Sequence, residues 1–218
     1  MTVHVGILGG TGPEGRGLGA RLAAAGMAVT LGSRDAGRAE AAAATIRDSW
    51  PDLRLDVRGG DNAVAAGADL VVVATPWDAV TTTAQALAEQ LADKVVVCIA
   101  APLVKIGRSV RAVVPPRGSV AGELQAALPA SHVAASFHHL AAEDLADLDE
   151  ALLADVLVCA DHRGAKDATM ALVDSVEGLR ALDAGTLANA GPVEAFTAVC
   201  IGINIRYKVR STLRLGGL

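Results

Sequence analysis

A chain of 218 residues, 52% hydrophobic and only 2% aromatic, is long enough for one sizeable core, and that core has to be built from closely packed Ala, Val, Leu and Ile. The formal net charge of -5 and the lack of a long Lys/Arg run exclude the electrostatic footprint of a nucleic-acid binder. No apolar run reaches the roughly 20 residues that span a bilayer, and no signal-peptide layout precedes the strand pattern that begins at Thr2, so a cytoplasmic protein with neither nucleic-acid nor membrane partner is expected.

Val3 to Leu8 is a short apolar run ending in Gly9-Gly10-Thr11-Gly12, after which Leu18, Leu22 and Ala25 recur at helical spacing, giving strand, tight turn and helix. Gly26 stops that helix, Val29 to Ser33 forms a second strand, and Asp35 caps an Ala-rich helix that ends at Trp50-Pro51-Asp52. Leu53 to Arg58 alternates as a third strand, Asp61 to Ala66 reads as a short helix, and Asp69 to Ala74 as a fourth, buried strand. Thr75-Pro76 breaks it; Val80 to Leu91 is amphipathic, and Lys94 to Ala100 supplies a fifth strand. The sustained alternation predicts an α/β fold, Rossmann-type and doubly wound, on a mostly parallel sheet.

Ala101 to Pro116 is irregular and rich in Pro, Gly and Arg, as expected of a long loop at the sheet's carboxyl edge. A short helix near Glu123 to Leu128 follows, then strands at Val133 to His138 and Asp155 to Ala160 and a helix from Ala165 to Val176, so the sheet grows by two or three strands. Asp144, Asp147, Asp149 and Glu150 read as a solvated acidic segment. Cys98, Cys159 and Cys200, far apart in apolar stretches, fit reduced core thiols. Val193 to Ile205 is apolar on nearly every side and reads as a buried helix that crosses the sheet or packs on a second subunit, implying a homo-oligomer, most simply a dimer. Residues 1–132 are expected to form an NADP-binding domain and 133–218 a C-terminal strand and helix extension of the same compact unit.

The strongest chemical signal is Gly10-Thr11-Gly12-Pro13-Glu14-Gly15 between a strand and a helix. Gly10 suits the tight turn, Gly12 lets backbone approach a pyrophosphate, Gly15 brings helix onto strand, Thr11 adds a hydroxyl, and Pro13 fits the first helical turn. A glycine turn with no ligand is the plain alternative, which the surrounding strand and helix alternation weakens. Where an NAD-selective site places a carboxylate, the second strand ends in Ser33-Arg34, with Arg38 one turn on. Two guanidinium groups and a hydroxyl there suit a 2′-phosphate, hence NADP(H), although surface arginines are commonly just solvated. Thr75-Pro76-Trp77 opens the carboxyl end of the fourth strand, where Trp77 either walls the cofactor or covers the core. His138 and His139 end a later strand, and alternation would turn only one of them into a cleft. No Ser-His-Asp order, zinc spacing or close carboxylate pair emerges. No catalytic acid, base or metal ligand is therefore assigned, and hydride transfer between two bound cofactors needs only their positioning.

These residues resemble the F420-dependent NADP reductases. The likeness rests on Gly9-Gly10-Thr11-Gly12 with Gly15, Gly32-Ser33-Arg34, Thr75-Pro76-Trp77, Ser136-Phe137-His138, Leu182-Asp183-Ala184-Gly185, and Val193-Glu194 with Thr197. The segment at Pro102-Leu103-Val104 ends in Lys105 where the family pattern has proline. The resemblance implies an oxidoreductase that moves hydride reversibly between C5 of the deazaflavin coenzyme F420 and C4 of the nicotinamide of NADP. It places Thr11 to Glu14, Ser33, Arg34 and Arg38 on the NADP phosphates and ribose, Ala142 near the nicotinamide, and His138 and Leu140 beside the deazaflavin. Two other readings of the residues remain: an NADPH-dependent reductase of a small imine or hydroxy acid, and a non-catalytic NADP(H)-sensing protein.

Overall fold

The computed structural model describes residues 3–218; Thr2, where the strand pattern begins, lies outside them. β1 (His4–Leu8) leads through the glycine turn into α1 (Pro13–Ala24), β2 (Ala28–Ser33) into α2 (Ala36–Ser49), and β3 (Val57–Asp61) into α3 (Asn62–Ala66). The carboxylate of Asp35 accepts the Arg38 backbone N–H at 3.1 Å and starts α2, and Asp61 does the same for α3 through Val64 at 2.8 Å. β3 starts later than the alternation at 53–58 suggests. Its Gly59-Gly60 pair carries no side-chain signature, yet glycine is what the position requires, because a Cβ on Gly59 would sit 2.1 Å from the Glu40 nitrogen of α2.

β4 (Leu70–Val73) precedes a turn of 3-10 helix at Trp77–Ala79. The expected single amphipathic helix over 80–91 is two pieces, α4 (Val80–Gln85) and α5 (Ala88–Leu91), separated where Leu87 leaves helical geometry with φ -123° and ψ 17°. After β5 (Val95–Cys98), the segment expected as an irregular loop contains a hairpin, β6 (Leu103–Ile106) and β7 (Ser109–Ala112). Its turn uses Gly107 at φ +61°, and Val113 N–H closes its base by donating to the Pro102 carbonyl at 2.8 Å. α6 (Val120–Ala127) begins earlier than residue 123 because Ser119 caps it, its hydroxyl accepting the Gly122 N–H at 2.9 Å.

β8 (His132–Ala135), α7 (Ala142–Ala146), β9 (Ala154–Ala160), α8 (Arg163–Asp174), β10 (Leu179–Asp183) and α9 (Ala190–Tyr207) complete the chain. The eight strands other than β6 and β7 form one sheet in the order β10-β9-β8-β5-β4-β1-β2-β3. All neighbours are parallel except β8 and β9. The order reverses between β1 and β4, so their carboxyl ends flank the crevice where an open α/β sheet takes ligands. Strand alternation splits the core: Val5, Ile7 and Val72 face a layer with Leu18, Leu22 and Leu172, while Leu8, Val71 and Val73 face one with Val80, Leu124 and Val193. All three cysteines are buried and unpaired.

Two sequence expectations change. α9 is buried on one side only, through Val193, Glu194, Thr197 and Cys200, whereas Val199, Ile203, Ile205 and Tyr207 are exposed. The acidic stretch 144–150 is pinned from inside rather than simply solvated. Arg21 of α1, 7% exposed, donates to the carbonyls of Asp144 at 2.7 Å, Leu145 at 3.2 Å and Glu150 at 2.9 Å, and also to that of Asp147. The Asp144 carboxylate pairs with Arg210.

Candidate functional site

The glycine turn is built by backbone. Gly9 adopts φ +70°, and Gly10 N–H donates to Ile7 O at 3.1 Å and Gly32 O at 2.9 Å, tying the turn to both β1 and β2. At Gly15 a Cβ would lie 2.7 Å from Gly10 Cα, so glycine there lets α1 pack onto the turn. Gly12 is different. Its φ of -70° is open to any residue, and an added Cβ would meet nothing nearer than the Gly9 carbonyl oxygen at 3.7 Å. Neither a positive φ nor a close protein contact requires glycine here, and the space over its backbone is open. No side chain caps α1, so its leading N–H groups and the positive end of its dipole face the same space, as an anion site requires.

At the end of β2, Ser33 is buried and its hydroxyl accepts the Asp35 N–H at 3.2 Å. Arg34 and Arg38 are exposed. Among the described residues neither has an acidic partner in an ion pair, and the nearby Asp35 is already occupied as the α2 cap. Two guanidinium groups are thus available beyond β2.

Across the switch point Thr75 follows β4. Its Cγ2 methyl would be 2.6 Å from a Cβ on Gly9, so the β1 and β4 loops touch. Its hydroxyl is buried without a partner. Pro76 is exposed, and Trp77 packs against the Val80 and Leu91 side of the core while staying partly exposed.

The His138 region departs from the expected strand geometry. β8 stops at Ala135, Phe137 takes the left-handed φ of +64°, and the chain turns, burying both His138 and His139. The His139 ring Nε2 is 2.8 Å from the Asp155 carbonyl. Both ring nitrogens of His138 and the hydroxyl of Ser136 are buried without partners. Burial, then the neighbouring His139, push the His138 pKa down to about 3, so its ring is neutral. The Thr197 hydroxyl of α9 donates to the His138 carbonyl at 3.1 Å, and Leu140 is buried in the same turn. Ala142 opens α7 and, with Pro13 of α1, borders a cavity of about 420 Å³ between α1, α2 and α7.

The structure therefore joins Gly9 to Thr75 and His138 to Thr197, and sets Pro13 and Ala142 on one cavity, while Arg34 and Arg38 stand apart beyond β2. Two residues sit in motifs of the resemblance but drew no site role from the sequence. Ser136 is one; the other is Glu194, fully buried, whose carboxylate accepts the Val120 and Ala121 N–H groups at 2.8 and 3.0 Å. A lone acid in an otherwise apolar helix was its signal.

Residues 4–102 match the family model described as NADP oxidoreductase, coenzyme F420-dependent. The F420-dependent NADP reductase of Methanocaldococcus jannaschii is 37% identical over 96% of this chain and 96% of its own. The protein of the same name from Methanothermobacter thermautotrophicus is 35% identical over 97% and 93%. Among solved structures, a protein of Arthrobacter sp. FB24 assigned as an F420-dependent NADP reductase superposes with TM-score 0.83 at 26% identity, covering 99% of this chain and 100% of that one. With identity of this level sustained along both chains, and not only across the glycine turn, the chain belongs to the F420-dependent NADP reductase family.

Proposed function

We propose that the chain is an F420-dependent NADP reductase, transferring hydride reversibly between reduced coenzyme F420 and NADP. The observation that carries this reading is the match to reductases of that name along 96% of both chains. The two coenzymes supply the chemistry, a hydride exchange between C5 of the deazaflavin and C4 of the nicotinamide. The chain's share is to bind, orient and exclude water.

The residues present fit that task. The open space over Gly12 and the uncapped α1 N-terminus suit a pyrophosphate, with Gly10, Thr11, Pro13, Glu14 and Gly15 shaping the turn. Ser33, Arg34 and Arg38 would hold the 2′-phosphate. The unpartnered polar atoms of Thr75, Ser136 and His138 lie beyond the ends of β4 and β8, the strands on either side of β5, and buried polar groups ordinarily find partners, so bound ligand groups or water are their natural complement. Thr75, Pro76, Trp77 and Ala142 would border the nicotinamide, and His138, Leu140 and Thr197 the deazaflavin. A neutral, buried His138 offers no proton, in keeping with a step that needs none. In this reading residues 1–132 hold NADP and 133–218 form the deazaflavin side of one unit.

The exposed apolar residues of α9, Val199, Ile203 and Tyr207 along one side and Ile205 on another, support a homodimer through that helix. Light scattering of the purified protein tests it, a monomer mass at micromolar concentration counting against. Among the described residues no helix is long and apolar enough to cross a membrane, and cytoplasmic residence belongs to the same proposal. The functional test is direct: NADPH mixed with oxidised F420 and the protein bleaches the deazaflavin absorbance. A flat trace at saturating concentrations of both would refute the reading.

A further inference from the structure

Between Asp93 and Glu123 the sequence contains no acidic residue, yet it holds Lys105, Arg108 and Arg111. All three lie in the β6–β7 hairpin: Lys105 in β6, Arg111 in β7 and Arg108 beside Gly107 in the turn. All three are exposed. Among the described residues none has an acidic partner within ion-pair distance. In a chain of net charge -5, this is a concentrated and uncompensated positive ribbon.

Its place in the fold gives the charge a role. The hairpin leaves the sheet beyond the carboxyl end of β5, between the ends of β4 and β8 that carry Thr75 and Ser136. β7 packs on α9, the helix whose Thr197 holds the His138 carbonyl. The ribbon therefore adjoins the side of the cleft given above to the deazaflavin, away from Arg34 and Arg38 beyond β2. In the antiparallel register Lys105 is opposite Val110, and Arg111 opposite Val104, so the two cations project from opposite faces, with Arg108 at the tip. Such an arrangement forms no fork for a single rigid phosphate. It surrounds the end of the ribbon with positive potential, which suits a flexible chain bearing several anionic groups.

We propose that the β6–β7 hairpin is a subsite for the acidic side chain of the deazaflavin coenzyme, its phosphate and carboxylate groups, holding them by electrostatic attraction at Lys105, Arg108 and Arg111. This rests on the functional reading above and deepens it. The chemistry of the transferred hydride is untouched; the hairpin acts on affinity and on discrimination between deazaflavins with and without an acidic chain.

The experiment compares two acceptors, intact F420 and the bare ribityl deazaflavin that lacks phosphate and carboxylates, in the unaltered protein and in the triple variant Lys105→Gln, Arg108→Gln, Arg111→Gln. The three positions are exposed, so the variant is expected to keep its melting temperature, and Arg111→Gln alone serves if it does not. The variant should raise KM for intact F420 about tenfold at low salt and leave KM for the bare deazaflavin and for NADPH unchanged. Added salt should raise KM for intact F420 in the unaltered protein and shrink its difference from the variant. Equal KM values for intact F420 in the two proteins, or an equal rise for both acceptors, would overturn the hairpin proposal while leaving the reductase standing. Failure of the unaltered protein to reduce either deazaflavin would overturn the functional reading and this subsite with it.

Discussion

Thr197 donates its hydroxyl hydrogen to the carbonyl oxygen of His138 at 3.1 Å, across 59 positions of sequence. That single bond ties α9 to the turn beyond β8, the two elements proposed above to form the deazaflavin side of the site. Thr197→Val keeps the side-chain shape but leaves a buried carbonyl without this donor, a cost of about 1–2 kcal/mol. We expect a lower melting temperature and a raised KM for F420, with KM for NADPH unchanged because the glycine turn is remote from the bond. An unaltered melting curve would show that water or another donor replaces the hydroxyl.

Gly12 and Gly15 make a paired prediction, because they are glycines for different reasons. Gly15→Ala drives a Cβ to 2.7 Å from Gly10 Cα, and the backbone shift it forces should cost about 1–3 kcal/mol. Gly12→Ala places its Cβ in ordinary contact at 3.7 Å, so the fold should lose no more than about 1 kcal/mol from the poorer helix cap. Its affinity for NADPH should nevertheless fall by roughly tenfold or more, since the methyl enters the space left for a pyrophosphate. Calorimetry separates the two variants. Wild-type NADPH affinity in Gly12→Ala would remove the ligand as the reason for that glycine.

Arg34 and Arg38 are exposed and, among the described residues, free of acidic partners, so substituting them costs the fold little. A charge-assisted contact to a phosphate contributes about 1.5–3 kcal/mol, which corresponds to a roughly 10- to 100-fold weaker NADPH affinity in Arg34→Gln. NADH, lacking the 2′-phosphate, should bind the variant and the unaltered protein alike. Parallel titrations decide it: equal losses for both nucleotides would mean that Arg34 acts on something other than the 2′-phosphate.

The glycine turn, Ser33-Arg34 and the β-α alternation were legible because each is a local pattern: the turn chemistry and the periodicity lie within a few consecutive residues. What the sequence hid was set by contacts between distant segments. β3 was misplaced because Gly59 answers to the close approach of α2 rather than to strand propensity, and Gly60 lies against Val64 of α3. The hairpin escaped because its Pro and Gly residues resemble those of a loop. The His138-His139 pair was assigned to a strand because a left-handed Phe137 has no marker in composition. Arg21 shows the same limit: nothing near it in sequence announces that its guanidinium gathers carbonyls from residues 144–150. Glu194 entered the sequence reading only as part of Val193-Glu194 in the resemblance, and its partners at the start of α6 were not legible there.

That buried carboxylate yields a pH prediction with a definite sign. Burial pushes the pKa of Glu194 up to about 7 from an ordinary 4.5, although the two N–H groups of α6 oppose the rise. A folded-state value above the unfolded one means that the native protein holds a proton the unfolded chain releases. The associated stability is fully present below about pH 4.5 and is lost as pH climbs to about 7, on the order of 2–3 kcal/mol in all. His138 works in the opposite sense. With its pKa pushed down to about 3, its contribution is present above pH ~6.5 and wanes as the pH falls towards 3. In Glu194→Gln the absolute stability also shifts, because an amide cannot accept both N–H groups, so the slope is the diagnostic quantity. Denaturation by urea at a series of pH values from 4.5 to 7.5 should show the unaltered protein losing, relative to the variant, 2–3 kcal/mol of stability as pH rises. Parallel profiles would mean that Glu194 stays ionised throughout, its two backbone donors outweighing burial.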